Sequence, residues 1–438
     1  MDNSLEGDAA SSAQPTLREA VLVWWQIGIL SFGGPAAQIA LMHKMIVDEK
    51  NWLGEQQFLN ALSFCMLLPG PEAMQLATYA GWRLHGVIGG LIAGLLFVIP
   101  GAVVVLILAM IYAAFGNVPI VEAIFFGIKA AVLIIVIEAL LRIAKKALKL
   151  PEHWLVAAVS FVAIFFFSLP FPLIVLLAGL YGFLRTSSGD QPELHVKIAI
   201  KPVQTLKTVA LWLVIWLAPL LALSSVLGEG QILSQIGWFF SKLAVVTFGG
   251  AYAVLAYMGQ DVVTSFGWLQ AGQMMDGLGL AETTPGPLIL VTEFVGYLAA
   301  YQHGGQSALL LGTAGAIVAL WATFAPCFLW IFAGAPYIEW ISAQPRLKGA
   351  LSGITAAVVG VILNLSLWFA LHVFFGKVEL VHKGPLSLWT PDLATLNIGV
   401  IILAGISGYL LLWRHWGIPT VLAIAAVLAL LLRFLPLF

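Results

Sequence analysis

The sequence is short of charge. Only 9% of its 438 residues are Asp, Glu, Lys or Arg, whereas 61% are hydrophobic and the mean hydropathy is +1.00. A chain with so little polar surface cannot coat a water-soluble globule, so its composition predicts a protein that lies in a lipid bilayer. The formal net charge of -1 leaves no basic surface and excludes nucleic acid as a partner.

Cysteine and the motifs of metal and nucleotide chemistry are also scarce. The two cysteines, Cys65 and Cys327, both lie in apolar runs, which favours packing roles over a disulfide or a metal site. There is no phosphate-binding glycine loop, no HExxH and no paired CxxC. We therefore expect no metal, no cofactor and no enzymatic activity. The acidic start of the chain does not resemble a signal peptide, and residues 1–15 are expected to be a disordered tail.

Glycine and proline interrupt the apolar runs in a repeated pattern. SFGGPAAQ at 31–38 and LLPGPEAMQ at 67–75 have counterparts that begin at Thr247 and at Thr283, and one shift of 216 residues superposes both pairs. Within each half the two breaks lie 37 residues apart. After a ten-residue insertion the register resumes at a shift of 226. The chain is therefore predicted to be an internal duplication.

Apolar runs long enough to cross a bilayer, about 20 residues each, alternate with shorter segments. Residues 154–184 are predicted to form two short helices joined by a tight turn. The segments on either side of each Pro-Gly-Pro are too short to span and are predicted to form helical hairpins with buried tips, because a Pro-Gly-Pro frees backbone carbonyls that cannot face lipid. The membrane-length runs lie around 17–42, 87–113, 119–141, 208–227, 232–258, 306–333, 347–375, 394–413 and 417–435.

The predicted fold is an all-α polytopic membrane protein with two homologous repeats, broken helices and re-entrant helical hairpins. Its predicted divisions are a tail (1–15), a first repeat (16–184), a linker with a connecting helix (185–230) and a second repeat (231–438). If the basic residues at 142–149 and at 377–383 are cytoplasmic, the N-terminus lies outside. Six crossings then separate the repeats, which makes them parallel, although one misread helix in 154–184 would make them inverted.

The four breaks predict an anion site. After each Pro-Gly-Pro a helix begins at membrane depth and presents unpaired amide hydrogens and the positive end of its dipole. Glycines let the backbone approach a ligand closely, and neighbouring hydroxyls add donors. Alternatively, the same residues only kink helices or permit close packing. The predicted substrate-binding set is Ser31, Phe32, Gly33, Gly34, Pro35, Gln38, Pro69, Gly70, Pro71, Gln75, Thr247, Phe248, Gly249, Gly250, Thr283, Thr284, Pro285, Gly286 and Pro287.

Five ionisable residues are candidates for proton coupling or anion attraction. Glu72 begins the helix after Pro71, where its carboxyl group could hold a coupling proton or simply cap amides. Glu293 lies on the equivalent helix of the second half and could face the same cavity. His43 and Lys44 follow the first break by about three turns, either as a solvated cap or as groups that attract an anion. Arg83 is an end cap or a vestibule residue.

The residues around the breaks resemble the signature of the chromate ion transporter family. In the first half these are FGGPAAQIALMH at 32–43, MLLPGPEAMQLATYAGW at 66–82 and GGLIAGLLFVIPG at 89–101. FGGAYAVLAYM at 248–258 and TTPGPLILVTEFVGY at 283–297 carry the resemblance into the second half, as in long-chain, two-domain members. The shared motif residues are Phe32, Gly33, Gly34, Pro35, Gln38, His43, Pro69, Gly70, Pro71, Glu72 and Gln75.

The resemblance implies a multi-pass protein of the bacterial inner (cytoplasmic) membrane with inverted halves. It also implies proton-motive-force-dependent efflux of chromate, with sulfate as the physiological look-alike, that confers chromate resistance. The second half lacks a proline after Gly250 and an acid after Pro287, so only the first half could hold the coupling group.

The expected activity is secondary active transport by an antiporter, and the expected partners are chromate or sulfate, protons, the lipid bilayer and, as an option, a second copy in a homodimer. A dianion that leaves an inside-negative cell gains about 4.6 kcal/mol per 100 mV, since each charge is worth about 2.3. The alternatives are uptake of sulfate or another small anion, a passive anion channel and a membrane-bound chromate reductase.

Overall fold

The computed structural model describes residues 15–116, 118–186, 202–248 and 251–433. Residues 1–14 of the predicted tail, most of the polar linker, Gly249 and Gly250 lie outside the described residues. The helices are Leu17–Leu30 (α1), Gly34–His43 (α2), Glu55–Cys65 (α3), Glu72–Phe115 (α4), Pro119–Ala147 (α5), Pro151–Phe165 (α6), Phe171–Arg185 (α7), Pro202–Leu227 (α8), Ile232–Val246 (α9), Ala251–Gln260 (α10), Ala271–Thr283 (α11), Val291–Gln302 (α12), Ala308–Gly334 (α13), Ile338–Ala343 (α14), Pro345–Phe374 (α15), Ile398–Gly408 (α16) and Ile418–Arg433 (α17).

The predicted helical membrane fold is confirmed. Within the described residues, five helical segments are long and apolar enough to cross a bilayer, and they contain α4, α5, α8, α13 and α15. Helix α4 bends at His85 and Gly86, where Gly86 has a φ of 63°, so that a short arm (72–84) and a long arm (87–115) meet at an angle. The predicted pair of short helices in 154–184 is also confirmed, as α6 and α7 joined at 166–170.

The runs at 17–42 and 232–258, which the sequence predicts to be membrane spans, are re-entrant hairpins instead. Helix α1 enters and ends at Leu30, and α2 returns the chain to the face where α1 began. The Lys50 ammonium there lies 3.1 Å from the carboxylate of Glu19. In the second repeat the ring of Phe266, after α10, lies 5.2 Å from that of Phe239 in the middle of α9. Hydropathy alone predicts one span for such a run, because both arms of the hairpin are apolar.

The two repeats are inverted in the bundle. The hairpins of the first repeat open on one face, the first face, where the His85 ring is hydrogen-bonded to the Pro15 carbonyl at 2.8 Å. Between this face and the second repeat, α5, α8 and the long arm of α4 each cross the bundle once. Helices α6 and α7 form a pair that leaves and returns to the same face, so they do not change the count. Helix α8 begins at the first face, with Thr205 bonded to Tyr337 at 2.6 Å, and ends at the opposite, second face. Three is odd, so the predicted parallel arrangement is wrong.

The inversion also separates the two basic clusters that the sequence analysis placed together in the cytoplasm. Arg142 and its basic neighbours lie at the end of α5 on the first face, next to α6 and α7. Lys377 and Lys383 follow α15 at the second face, where Asn397 donates its amide to the Phe374 carbonyl at 2.8 Å. The assignment of both clusters to one side is therefore wrong, and with it the deduction that the N-terminus lies outside.

Each repeat ends in a helix pair that packs against the long helix of the other repeat. Helices α6 and α7 lie on α15, and α16 and α17 lie on α5. Glycines at equivalent positions permit the close approach: Gly353 faces the carbonyl of Ala178, and Gly127 faces the carbonyl of Ala425. A side chain at either glycine would collide with backbone. This exchange of helix pairs ties the repeats together over most of their length.

The one feature of the described chain that helix patterns do not predict is a two-stranded antiparallel sheet at the second face. Strands Val378–Lys383 (β1) and Leu386–Pro391 (β2) pair in the register Leu380 to Trp389. The amide of Ser387 donates to the Phe166 carbonyl at 2.7 Å, which fixes the hairpin on the α6–α7 turn.

Candidate functional site

The breaks of the two repeats meet in the middle of the bundle. The amide of Gly70, at the tip of the first α3–α4 hairpin, donates to the Thr247 carbonyl at 2.9 Å. Its repeat mate Gly286 donates to the Ser31 carbonyl at 2.8 Å. These two bonds are related by the duplication, because Ser31 and Thr247 are also repeat mates. Each hairpin tip is therefore bonded to the broken helix of the other repeat.

Glycine is required at both tips by conformation as well as by space. Gly70 has a φ of 115° and Gly286 a φ of 90°, values that other residues adopt only with strain. A Cβ at Gly70 would lie 3.0 Å from the Cys327 sulfur, and one at Gly286 would lie 3.3 Å from the Gly101 Cα. Each tip thus rests on a long helix directly after its internal proline, Pro326 or Pro100.

A small cavity lies between the tips and takes walls from both repeats. About 10 Å³ of it is open to the centre of a water molecule, which is room for about one water. Three helical segments begin here without a side-chain cap: α2 after Gly33, α4 after Pro71 and the 3-10 turn after Pro287. Their first amides and positive dipole ends favour negative charge. The lining residues are Pro35, Gln38, Gly70, Pro71, Glu72, Ala73, Thr247, Ala251, Pro287, Leu288 and Ile289.

Two buried glutamines hold the tips. Gln38 donates from Nε2 to the Gly286 carbonyl at 2.6 Å and to the Ser31 carbonyl at 3.3 Å. Gln75 donates from Nε2 to the Pro69 carbonyl at 2.7 Å. The Oε1 atoms of both glutamines are buried and have no hydrogen-bond partner among the described residues. A buried amide oxygen without a partner is costly, so this region is polar but incompletely satisfied.

Glu72 is the acidic residue of the cavity wall. It is the first residue of α4, directly after the Pro71 cap position, so its carboxyl group lies where the helix dipole favours negative charge. No lysine or arginine of the described chain forms an ion pair with it. The second repeat places Leu288 at the matching position of the same cavity.

The hydroxyl groups predicted as anion donors are used inside their own helices. Ser31 donates to the Ile27 carbonyl at 2.7 Å and Thr247 to the Leu243 carbonyl at 2.5 Å. Thr283 and Thr284 donate in the same way to carbonyls three residues earlier. A broken helix leaves such carbonyls without their usual amide donors, and the hydroxyls satisfy them. In this conformation these hydrogens are not directed at the cavity.

Other predicted residues lie away from the cavity. Phe32 and Gly33 are exposed at the edge of the bundle, and Phe248 is half-buried beside Thr247. Gly34 is half-buried with open space where a Cβ would stand. Pro285 is buried with its carbonyl against Gly101. The structure therefore divides the predicted set into a group around the cavity and a group outside it.

The charged candidates other than Glu72 also lie outside the cavity wall. His43 and Lys44 are at the first face, where His43 Nε2 lies 2.6 Å from Glu55 and Lys44 lies 3.7 Å from Glu49. The hydrogen bond to Glu55 raises the pKa of His43 above its usual 6.5. Arg83 is exposed at the end of the short arm of α4. Glu293 is buried, with its Oε2 atom unpaired, but does not line the cavity.

Sequence reasoning missed a set of polar residues on α11 and its neighbours. Asp276 lies 3.3 Å from the Lys129 ammonium and accepts a hydrogen bond from Tyr112 at 2.8 Å. Glu282 accepts a hydrogen bond from Tyr252 at 2.7 Å. The only signal in the sequence was that Asp276 and Glu282 are isolated acids in an otherwise uncharged helix. Their partners lie on other helices, so they could not be identified without the fold.

The chain is similar to known transport proteins over most of its length. The family model described as chromate transporter matches residues 18–183 and 234–432. The chromate transport protein of Pseudomonas aeruginosa is 32% identical over 401 residues, which cover 88% of this chain and 90% of the relative. The chromate transport protein of Cupriavidus metallidurans is 30% identical, over 82% of this chain and 84% of the relative.

One relative corresponds to about a single repeat. The uncharacterized transporter YwrA of Bacillus subtilis is 28% identical over 157 residues, which are 35% of this chain and 88% of YwrA. No solved structure matches the chain. The two matched regions coincide with the two halves whose broken helices meet at the cavity, and the chain belongs to the chromate transporter family.

Proposed function

We propose that this protein moves chromate, and tetrahedral oxyanions of the same charge such as sulfate, across the inner membrane through the cavity between the hairpin tips. The observation that carries the proposal is the symmetric pair of bonds from Gly70 to Thr247 and from Gly286 to Ser31. They bring unwound backbone from inverted repeats to one point in the bundle, an arrangement that secondary transporters use for their substrates. The names of the full-length relatives point to chromate.

The described conformation is a closed state in this mechanism. A cavity with about 10 Å³ open to a water centre holds no tetrahedral oxyanion, so binding requires the tips to separate. Separation breaks the two bonds across the repeats and releases the amides of Gly70 and Gly286 as donors. In the closed state the carbonyls of Thr247 and Ser31 thus accept hydrogen bonds from the Gly70 and Gly286 amides. In the anion-bound state the same amides donate to the anion instead. Rocking of one repeat against the other exposes these donors to each face in turn.

Gln38 and Gln75 would supply further donors at the same place. Each has its Nε2 group within the tip region and an unpaired Oε1 atom, so rotation of either amide costs no hydrogen bond at the oxygen. Donation from amides matches an ion that only accepts hydrogen bonds. The few basic side chains near the site keep the dianion releasable, since a buried full ion pair would hold it strongly.

Glu72 shares the cavity with the proposed anion. A carboxylate and a dianion at one helix N-terminus repel each other strongly in a medium of low dielectric, so we assign to Glu72 a proton that binds together with the anion. A dianion accompanied by one proton still carries one net negative charge outward, worth about 2.3 kcal/mol per 100 mV. The membrane potential therefore favours efflux, and the proposed activity is chromate export that confers resistance.

The first face is assigned to the cytoplasm in this proposal. Basic residues are concentrated there, and cytoplasmic loops carry the excess of lysine and arginine. The first-face set is Arg18, Lys44, Lys50, Arg83, Arg142, Lys145, Lys146, Lys149, Arg185, Lys207, Arg346, Lys348 and Arg414, whereas Lys377, Lys383 and Arg433 lie at the second face. The potential would then drive the anion from the first face to the second.

The test is transport by the purified protein in lipid vesicles loaded with radioactive chromate. We expect saturable release that an inside-negative potential accelerates and that sulfate in the same compartment competes away. Release that does not saturate would indicate a channel, and a change in the oxidation state of chromium would indicate a reductase. Release equal to that of empty vesicles would refute the proposed function.

A further inference from the structure

The interface between α5 and α11 contains a buried polar group that is separate from the cavity. Asp276 is 3% exposed. Its Oδ2 atom forms an ion pair with the Lys129 ammonium and accepts a hydrogen bond from the Tyr112 hydroxyl. Its Oδ1 atom is buried without any hydrogen-bond partner among the described residues. The space for Lys129 exists because Gly272, one turn before Asp276, has no side chain: a Cβ there would lie 3.2 Å from the ammonium nitrogen.

Glu282 lies further along the same helix, close to the second hairpin tip. It is 6% exposed, and its one hydrogen bond in the described structure comes from the neutral hydroxyl of Tyr252. No cation of the described chain lies within ion-pair distance of it. A buried carboxylate with no cation is costly, so charge balance at this position is met by a proton.

The carboxyl group of Asp276 lies towards the second face, and that of Glu282 lies towards the first face. Helix α11 enters from the second face, and Asp276 lies six residues nearer that face than Glu282, a rise of about 9 Å. Towards the first face, α5 carries Glu138 and Arg142, which form an ion pair at 3.6 Å. Polar groups thus follow the α5–α11 interface through most of the bundle.

The positions that the duplication relates to these residues carry no titratable side chain. At the positions related to Asp276 and Glu282 it carries Asn60 and Met66, and the mate of Tyr252 is Ala36. The mates of Lys129 and Glu138 on α15 are Thr355 and Asn364. The titratable groups therefore occur on one side of the duplication only.

From this geometry we infer that Glu282 and Asp276 form a proton-binding site outside the anion cavity. The inference rests on the proposed function for its role in transport. A proton on Glu72 travels with the anion and cannot be exchanged for it. A proton held on α11 can bind when the anion has left, and it can bias the second hairpin towards one orientation, as exchange of protons for an outgoing anion requires.

The proton chemistry at the site is simple. A proton from the second-face solution binds the free Oδ1 of Asp276, which becomes a neutral carboxylic acid and leaves the Lys129 ammonium as the charge of the pair. Release of the Glu282 proton towards Glu138 and Arg142 leaves a carboxylate that takes the proton from Asp276, and this transfer restores the Asp276–Lys129 ion pair. The groups that contact the two acids are Lys129 from α5, Tyr112 from α4 and Tyr252 from α10, and Glu138 and Arg142 lie further along α5. Helix α12, which also packs on α11, carries Glu293, a buried acid whose Oε2 atom has no partner among the described residues.

The transport test separates the proton site from the anion site. Vesicles that contain wild-type protein, Asp276→Asn or Glu282→Gln are assayed for exchange of chromate against chromate without a gradient, and for chromate movement driven by a pH gradient. We expect both variants to retain exchange within about twofold and to lose at least tenfold of the gradient-driven movement. Full gradient-driven movement in both variants, or equal loss of exchange and driven movement, would overturn the inference.

A second readout does not depend on chromate. Infrared spectra of the folded protein in detergent at neutral pH should contain a protonated carboxyl band that is absent from Glu282→Gln and unchanged in the control Glu152→Gln, a surface acid bonded to Arg185. A spectrum without a Glu282-dependent band would overturn the proton site. If wild-type protein shows the band but no chromate exchange, the proposed function fails while the proton site stands.

Discussion

The two repeats have the same backbone plan but carry different polar side chains. Around the cavity the first repeat supplies Gln38, Glu72 and Gln75, and the second repeat has Val254, Leu288 and Val291 at the matching positions. Along the first arm of the Pro-Gly-Pro hairpin the distribution is reversed, since the second repeat has Asp276 and Glu282 where the first has neutral residues.

The comparison shows how a duplicated membrane fold can divide its tasks. The crossed tip bonds need both copies, because each amide donor finds its acceptor in the other repeat. The polar chemistry needs only one copy of each group. We therefore interpret the first repeat as the main source of anion contacts and the second as the source of the proton site.

The largest expected contrast concerns the two faces. Single cysteines at Lys145 and Lys383 should react with a membrane-impermeant thiol reagent from opposite sides, the first from the cytoplasm and the second from outside, because inverted repeats place the ends of α5 and α15 on different faces. The native cysteines Cys65 and Cys327 are buried and provide the unreactive background. Labelling of both positions from one side would refute the inverted arrangement.

Loss of either tip glycine should stop transport, and the two losses should be equal. Gly70→Leu and Gly286→Leu each force a branched side chain into a left-handed backbone, which costs about 1 to 2 kcal/mol, and into contact with Cys327 or with Leu290 and Gly101. Transport rates in vesicles, compared at equal amounts of folded protein, measure the effect.

Gly228 is the matched control for strain alone. Its φ is 91°, and no atom lies within 4 Å of a Cβ built on it, so Gly228→Ala adds backbone strain without touching the site. We expect that variant to transport at the wild-type rate. Tip variants that are folded and equally active would show that the crossed tips do not form the pathway.

Removal of the Gln38 or Gln75 amide should weaken chromate binding more than truncation of the repeat-related residues Val254 and Val291. Gln38→Leu and Gln75→Leu each remove hydrogen bonds to a charged ligand, worth about 1.5 to 3 kcal/mol, which corresponds to about 10- to 100-fold in affinity. Val254→Ala and Val291→Ala serve as controls. Equal losses in the two pairs would contradict the assignment of the anion contacts to the first repeat.

The acid of the cavity should control how chromate binding depends on pH. Chromate should bind wild-type protein more tightly as the pH falls, because protonation of Glu72 removes repulsion from the dianion, and Glu72→Gln should remove this dependence. Equilibrium binding between pH 5 and pH 8 measures it, after correction for the protonation of chromate itself. Leu288→Gln is the control in the second repeat and should keep the wild-type pH dependence.

The smallest effect is expected at the first face. The folded-state pKa of His43 is raised, chiefly by its hydrogen bond to Glu55, so the contribution of this pair to stability is complete below about pH 6.5 and disappears as the pH rises through the folded-state value. An exposed pair contributes less than about 1 kcal/mol. His43→Ala should therefore lower stability slightly at pH 5 and not at pH 9, and slow transport about twofold.

Thermal unfolding at both pH values, together with transport rates at low and high salt, measures the two effects of His43→Ala. Unchanged rates at every salt concentration would show that His43 is only a surface cap.

Local signals were sufficient to predict the breaks but not their connections. Pro-Gly-Pro at 69–71 and 285–287 has only a few backbone solutions, so the hairpins with buried tips could be predicted from the sequence. The run 17–42 contains its break as Gly33-Gly34, which hydropathy averages over, and the hairpin was therefore read as a span. That single error reversed the predicted orientation of the repeats.

Contacts between distant segments left no local signal. Gly70 and Thr247 are bonded across 177 residues, and Tyr112 and Asp276 across 164 residues, so neither pair could be found by periodicity. The β1–β2 hairpin did have a signal, an alternating stretch interrupted by Lys383-Gly384-Pro385, although neither strand was predicted. Glu72 was found because an acid that follows Pro-Gly-Pro is recognisable without the fold.

The proposed transport requires a dianion to bind where the hairpin tips of the inverted repeats meet. Anomalous scattering from chromium in crystals grown with chromate tests it most directly. We expect one peak within hydrogen-bond distance of the Gly70 and Gly286 amides and next to Gln38, with the bonds to Thr247 and Ser31 broken. A single strong peak elsewhere in the bundle, with both crossed bonds intact, would contradict it.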